Sequence, residues 1–126
     1  MDVRFYRCSH CGNVAVKPYD AGVPLVCCGE TMAELQANTV DAASEKHVPA
    51  VTVNGADVHV QVGEVEHPML PEHHIAFVCL VTEKGYQTAQ LAVDGAPVAD
   101  FRVAEGDAPV KVYEYCNLHG LWSVRL

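Results

Sequence analysis

Cys116 and His119 stand three positions apart in Tyr115-Cys116-Asn117-Leu118-His119-Gly120, near the end of a 126-residue sequence. A thiolate and an imidazole offered by one tight turn suit a transition metal, whereas Ca²⁺ and Mg²⁺ want oxygen ligands. Two donors do not complete a site. Further imidazoles stand upstream in separate segments: His47 in Glu45-Lys46-His47-Val48-Pro49, His67 in His67-Pro68-Met69, and His73 six residues further on, next to His74.

A second donor set lies earlier. Cys8-Ser9-His10-Cys11-Gly12 and Cys27-Cys28-Gly29 each end on a glycine, which lets the backbone curl so that amides point at the sulfurs, as in rubredoxin-like and zinc-ribbon knuckles. Four thiolates close a tetrahedral shell, so His10 reads as an exposed knuckle residue. Adjacent cysteines bridge each other only with strain. No secretion signal is visible in Met1-Asp2-Val3-Arg4-Phe5-Tyr6-Arg7, so metal is preferred to disulfides.

The elements that must carry these donors follow from pattern. Residues 1–37 form a small four-cysteine module, with a strand over Val3 to Arg7 and another at Leu25-Val26; it has few apolar residues, and metal supplies much of its folding energy. Gln36 to Ser44 reads as a linker or crossover. Residues 38–126 show strands of period two and no helical period. Val51-Thr52-Val53 and Val58 to Val62 flank Asn54-Gly55, a strong hairpin signal. Ile75 to Thr82 and Tyr86 to Val93 pair across Glu83-Lys84-Gly85, Asp94-Gly95 marks the next turn, and Phe101 to Val103, Val110 to Tyr115 and Leu121 to Arg125 follow. About seven short strands predict an antiparallel β-sandwich of immunoglobulin-like character, with the donors gathered from its loops.

Other histidines and cysteines read as bland. His59 alternates with Val58, Val60 and Val62 and belongs on a solvent face. Cys79 lies on the Ile75, Phe77, Cys79, Val81 ladder as a small buried hydrophobe, about 20 Å from His73 along a regular strand. His73 and His74 face opposite ways on a strand, and spacing alone leaves open which turns inward.

The formal net charge of −8 argues against nucleic-acid binding, which needs clustered Lys and Arg, and against anionic membrane surfaces. The longest apolar run, Ile75 to Val81, is too short to cross a bilayer. The expectation is a soluble, cytoplasmic protein.

C-x-x-C-G, C-C-G, E-K-H-V-P, H-P-M with a histidine six positions after the first, and Y-C-N-L-H-G together resemble desulfoferrodoxin, the two-iron class of superoxide reductase, over nearly the whole chain. The resemblance implies one rubredoxin-type iron on Cys8, Cys11, Cys27 and Cys28. It implies a second, catalytic iron with His47, His67, His73 and His119 as equatorial ligands and Cys116 as the axial one. It also selects His73 over His74, which stands where relatives carry an aromatic residue. Family members reduce superoxide by one electron to hydrogen peroxide without releasing O₂. Lys46 then matches the residue that attracts superoxide and organises a water for proton delivery, and Glu45 the residue that occupies the open iron position in the ferric state. Rubredoxin or another small redox protein is the implied electron donor, a homodimer the implied assembly, and zinc an expected substitute in the four-cysteine site of recombinant protein. Neutral imidazoles with one thiolate suit Fe(II), and thiolate donation assists reduction at the open position. Because the net charge repels an anion, attraction must come from a local feature such as Lys46.

Two other functions fit parts of the pattern. A non-catalytic iron electron carrier needs only the four-cysteine site, and a blue-copper protein needs two His, one Cys and a nearby Met, but Gly120-Leu121-Trp122-Ser123 contains no Met. A purely structural zinc protein is the third reading.

Overall fold

The computed structural model describes residues 3–126; Met1 and Asp2, where the four-cysteine module is expected to begin, lie outside the described residues. The chain divides into two compact units, one ending at Gln36 and the other running from Ala37 to Leu126.

In the first unit β1 (Phe5–Arg7) pairs antiparallel with β2 (Val14–Val16) on one side and β5 (Ala33–Glu34) on the other. A two-stranded ribbon joins β3 (Val26–Cys27) to β4 (Glu30–Thr31). The buried apolar side chains here are few: Val3, Phe5, Cys8 and Met32. A module this small has little apolar burial to hold it, so cross-linking by a metal matters to its stability.

The second unit opens with α1 (Ser44–His47), a single turn closed by the Val48 amide on the Ser44 carbonyl at 2.9 Å. Period counting finds no helix here because one turn is too short to show a period. Seven strands follow. β6 (Pro49–Asn54), β7 (Asp57–Val62) and β10 (Val98–Arg102) form one sheet in the order β10-β7-β6. β8 (Ile75–Thr82), β9 (Tyr86–Gln90), β11 (Pro109–Cys116) and β12 (Gly120–Arg125) form the other in the order β12-β11-β8-β9. All pairings are antiparallel. The β6–β7 hairpin pairs Asn54 with Asp57, so its loop residues are Gly55 and Ala56, one position later than the Asn-Gly reading; only Gly55 has positive φ (60°), as a type II′ turn requires. β9 ends at Gln90 rather than Val93, because the following turn already begins with the Gly95 amide bonded to the Ala92 carbonyl.

Alternate residues of both sheets fill the core: Val58, Val60, Val62, Ala99 and Phe101 from one, Ile75, Val78, Leu80, Val112 and Cys116 from the other. His59 lies outside, paired with Asp100 at 2.6 Å, and Cys79 is buried. No helix among the described residues is long and apolar enough to cross a membrane.

Candidate metal centres

The larger cluster draws on separate segments of the second unit. His47 closes α1, His67 and His73 lie between β7 and β8, and Cys116 and His119 bracket the β11–β12 turn. The strand register shifts between Tyr115 and Cys116, which pair with Phe77 and Ile75 and pass over Ala76. Such a bulge re-aims the strand end that carries the thiol.

The donor atoms of His47, His67, His73, Cys116 and His119 all lie within 4.8 Å of one another. Neighbouring rings meet edge to face, with centroids at 4.7 Å (His47–His67), 4.6 Å (His67–His73), 5.0 Å (His73–His119) and 4.9 Å (His119–His47). The diagonal from His47 to His73 is longer, 6.4 Å, so the four rings stand at the corners of a near-square.

Hydrogen bonds fix which nitrogens face inward. His47 Nδ1–H donates to the Ala43 carbonyl at 2.8 Å and His67 Nδ1–H to the Pro68 carbonyl at 2.7 Å. Both Nε2 atoms therefore present lone pairs, and they face each other at 3.2 Å. His47 Nε2 also lies 3.1 Å from His119 Nδ1, and Cys116 Sγ lies 3.6 Å from His67 Nε2. His73 Nε2 is buried without a hydrogen-bond partner among the described residues. Opposed lone pairs repel unless a cation sits between them. Nitrogens adjacent on one metal, with bonds of about 2.1 Å, fall roughly 3.0 Å apart, so the observed spacing fits a shared ion.

The electrostatics agree. Burial lowers the proton affinity of His47 and His73 and takes His67 down to about 4, against the pull of the Pro68 carbonyl. Neutral imidazoles are thus ready to donate. Burial pushes the Cys116 thiol up, opposed by the amides of His119 and Leu118, so its ionisation calls for a cation.

Two further residues brace this cluster without a role visible in their spacing. Asn117 accepts the His74 amide on Oδ1 at 2.8 Å and donates from Nδ2 to the Glu72 carbonyl at 3.0 Å, gripping the backbone on both sides of His73. Trp122 stacks on His47 at 4.8 Å and donates its indole N–H to the His119 carbonyl at 3.1 Å. Both lie within three positions of His119, which is the only hint the sequence offers. His74 turns away, its Nδ1 3.0 Å from the Leu70 carbonyl. Lys46 and Glu45 are exposed on α1, yet their charges reach the rings: Lys46 opposes protonation of His73 and Glu45 favours that of His47.

The smaller cluster is Cys8, Cys11, Cys27 and Cys28, whose sulfurs also lie within 4.8 Å of one another. Cys11 Sγ and Cys27 Sγ are 3.6 Å apart, close to the edge of about 3.8 Å for a tetrahedron with metal–sulfur bonds of about 2.3 Å. The Cys11 amide points at Cys8 Sγ at 3.5 Å and is the main reason Cys8 is acidified to about 6. The neighbouring sulfurs, Cys11 first, push Cys27 up and Cys28 to about 12. Four thiolates cannot coexist here without a cation. Gly12 and Gly29 have φ of 81° and 76°, as the knuckle reading requires, and Cys28 itself is left-handed at 52°. His10 stays outside the cluster, 3.0 Å from Glu30.

Fold and sites together define a small β protein with one four-sulfur cluster and one cluster of four imidazoles and a thiol. Profiles of desulfoferrodoxin match residues 39–125, and those of the desulfoferrodoxin N-terminal domain match residues 2–35. The chain belongs to the desulfoferrodoxin family. It is 44% identical to a desulfoferrodoxin of Clostridium acetobutylicum, over 97% of this chain and 95% of that one. It is similar to the crystal structure of the superoxide reductase from Treponema pallidum, at 44% identity and a TM-score of 0.84, covering 98% of this chain and 99% of that one. The one-iron superoxide reductase from Giardia intestinalis matches 65% of this chain and 97% of its own, at 34% identity and a TM-score of 0.52.

Proposed function

We propose that this chain is a superoxide reductase, which adds one electron and two protons to superoxide to give hydrogen peroxide. The observation that carries the reading is the near-square of imidazoles with a thiol beside it, all donor atoms within 4.8 Å, in a desulfoferrodoxin chain. His47, His67, His73, His119 and Cys116 would hold the catalytic iron, and Cys8, Cys11, Cys27 and Cys28 a second iron that relays electrons or stabilises residues 1–37. When bound at the first site, iron supplies a one-electron couple tuned by thiolate donation.

The chain's own groups do the rest. Lys46, exposed on α1 directly before His47, provides local positive charge on a molecule of net charge −8, and the opposition of its charge to protonation of His73 supports a role in attracting the anion. The same ammonium organises the water that delivers protons. Glu45, one residue earlier on the exposed turn, is the carboxylate that closes the oxidised resting site. Asn117 and Trp122 keep His73, His47 and His119 oriented. Residues 38–126 would thus form the catalytic domain. A cytoplasmic homodimer reduced by rubredoxin or a similar small redox protein completes the reading. Zinc fits the four-cysteine shell as well as iron does.

The test is protein made in iron-replete cells. Two irons per chain, and peroxide formed from superoxide without O₂, are expected. A fully metallated protein inert toward superoxide overturns the reading in favour of an electron carrier, and O₂ release in dismutation stoichiometry overturns it in favour of a dismutase.

A further inference from the structure

We infer that Gly63 is a positioning residue for the Glu45–Lys46–His47 turn, through the close approach of two backbones that only a glycine permits. The inference rests on the superoxide reductase reading and deepens it.

Gly63 follows β7 and opens the segment that delivers His67. A Cβ built on it would lie 2.6 Å from the Glu45 carbonyl oxygen, 2.9 Å from the Lys46 carbonyl carbon and 2.9 Å from the Val48 carbonyl oxygen. All three are backbone atoms and none belongs to a flexible side chain. The same two segments are tied together by a hydrogen bond from Val65 N–H to the Glu45 carbonyl at 2.9 Å, while within the loop Gly63 N–H donates to the Val65 carbonyl at 3.2 Å. The His67 amide donates to the Val62 carbonyl at 2.8 Å, and the Gln61 side chain clamps the Gly63 carbonyl at 2.8 Å. One short loop therefore sets the height of α1 and, four residues later, the position of His67. Four-residue α1 has no side-chain cap of its own, so its placement depends on this contact.

A methyl at 63 forces the Glu45 carbonyl from 2.6 Å out to ordinary contact at 3.4 Å, a displacement of about 0.8 Å. Misplacement by about 1 Å costs of the order of 10²-fold where orientation matters. His47 and Lys46 move with the turn; His67, on the near side of the contact, moves less.

The experiment compares wild type, Gly63→Ala, Gln61→Ala and, as controls, Gly85→Ala and Val58→Ala in the full metallated chain. Gly85 has nothing within 4 Å of an added Cβ, and Val58 is a buried core residue of β7, five positions before Gly63, whose truncation supplies a loss of stability by leaving a cavity. Pulse radiolysis gives the bimolecular rate with superoxide at two ionic strengths. The ferric visible spectrum, iron release to a chelator and thermal unfolding are recorded beside it. Gly63→Ala should slow the reaction 10- to 100-fold, flatten its ionic-strength dependence, shift the ferric band and speed iron release, with Gln61→Ala moving the same readouts a few-fold. Val58→Ala should lower the melting temperature and leave spectrum and rate unchanged. Should Gly63→Ala not fold, Gln61→Ala decides on the same readouts. A wild-type rate, spectrum and iron release in the glycine variant, or changes reproduced by Val58→Ala, overturn the inference. A wild type inert toward superoxide overturns the function instead, and the spectrum and iron release still judge Gly63.

Discussion

Glu114 offers the sharpest quantitative test of the packing. It lies on the core-facing row of β11 with Val112 and Cys116, opposite Val78 and Trp122 on the neighbouring strands, and is 0% exposed. Neither carboxyl oxygen has a hydrogen-bond partner among the described residues. Burial pushes its pKa from 4.5 up to about 9, so the folded protein holds a proton that the unfolded chain releases. A raised carboxyl pKa makes stability fall as pH rises from 4.5 towards 9. At pH 7 the gap of 2.5 units above the unfolded value costs about 3 kcal/mol, at 1.36 kcal/mol per unit. Glu114→Gln keeps the shape and removes the titration; its unpaired amide adds a cost that does not depend on pH. Between pH 5 and pH 8 the wild type should lose about 4 kcal/mol relative to this variant, a shift of about 2 M in the urea midpoint for an m-value of about 2 kcal/mol/M. The single tryptophan, Trp122, reports unfolding of this unit. Infrared spectra at pH 7 should show a protonated-carboxyl stretch that Glu114→Gln lacks. No such band, or a stability difference flat from pH 5 to 8, would refute the reasoning.

Other variants address the site itself. Lys46→Ala should slow the bimolecular reaction with superoxide about tenfold at low salt and less at high salt, since local steering is screened; wild-type rates at both salts in pulse radiolysis remove Lys46 from the approach path. Glu45→Ala should leave turnover largely intact while changing the ferric visible spectrum, and an unchanged spectrum takes Glu45 out of the oxidised site. Asn117→Ala removes both backbone grips around His73 and should weaken iron retention 10- to 100-fold, as measured by transfer to a chelator. Release at the wild-type rate would show that His73 is held by other contacts.

Spacing along the chain was enough to read the chemistry of the donors and much of the frame. The Cys-x-x-Cys-Gly and Cys-Cys-Gly knuckles, the Cys116–His119 turn and the period-two strands are local patterns, and local patterns survive in one dimension because backbone geometry ties them to neighbours a few residues away. Resemblance to a known family then separated His73 from His74, which alternation alone could not. What only the tertiary structure decided involves residues far apart in sequence. Glu114 reads as an ordinary strand residue until the fold buries it between Val78 and Trp122 on the neighbouring strands, and Asn117 matters because its side chain reaches the backbone of Glu72 and His74. Gly63 carries no signature such as a positive φ; its importance appears only when the Glu45–Val48 backbone is seen against it. Period tells which face a side chain takes, while the identity of what packs on that face is set by loop closure and sheet order, which no short stretch of sequence contains.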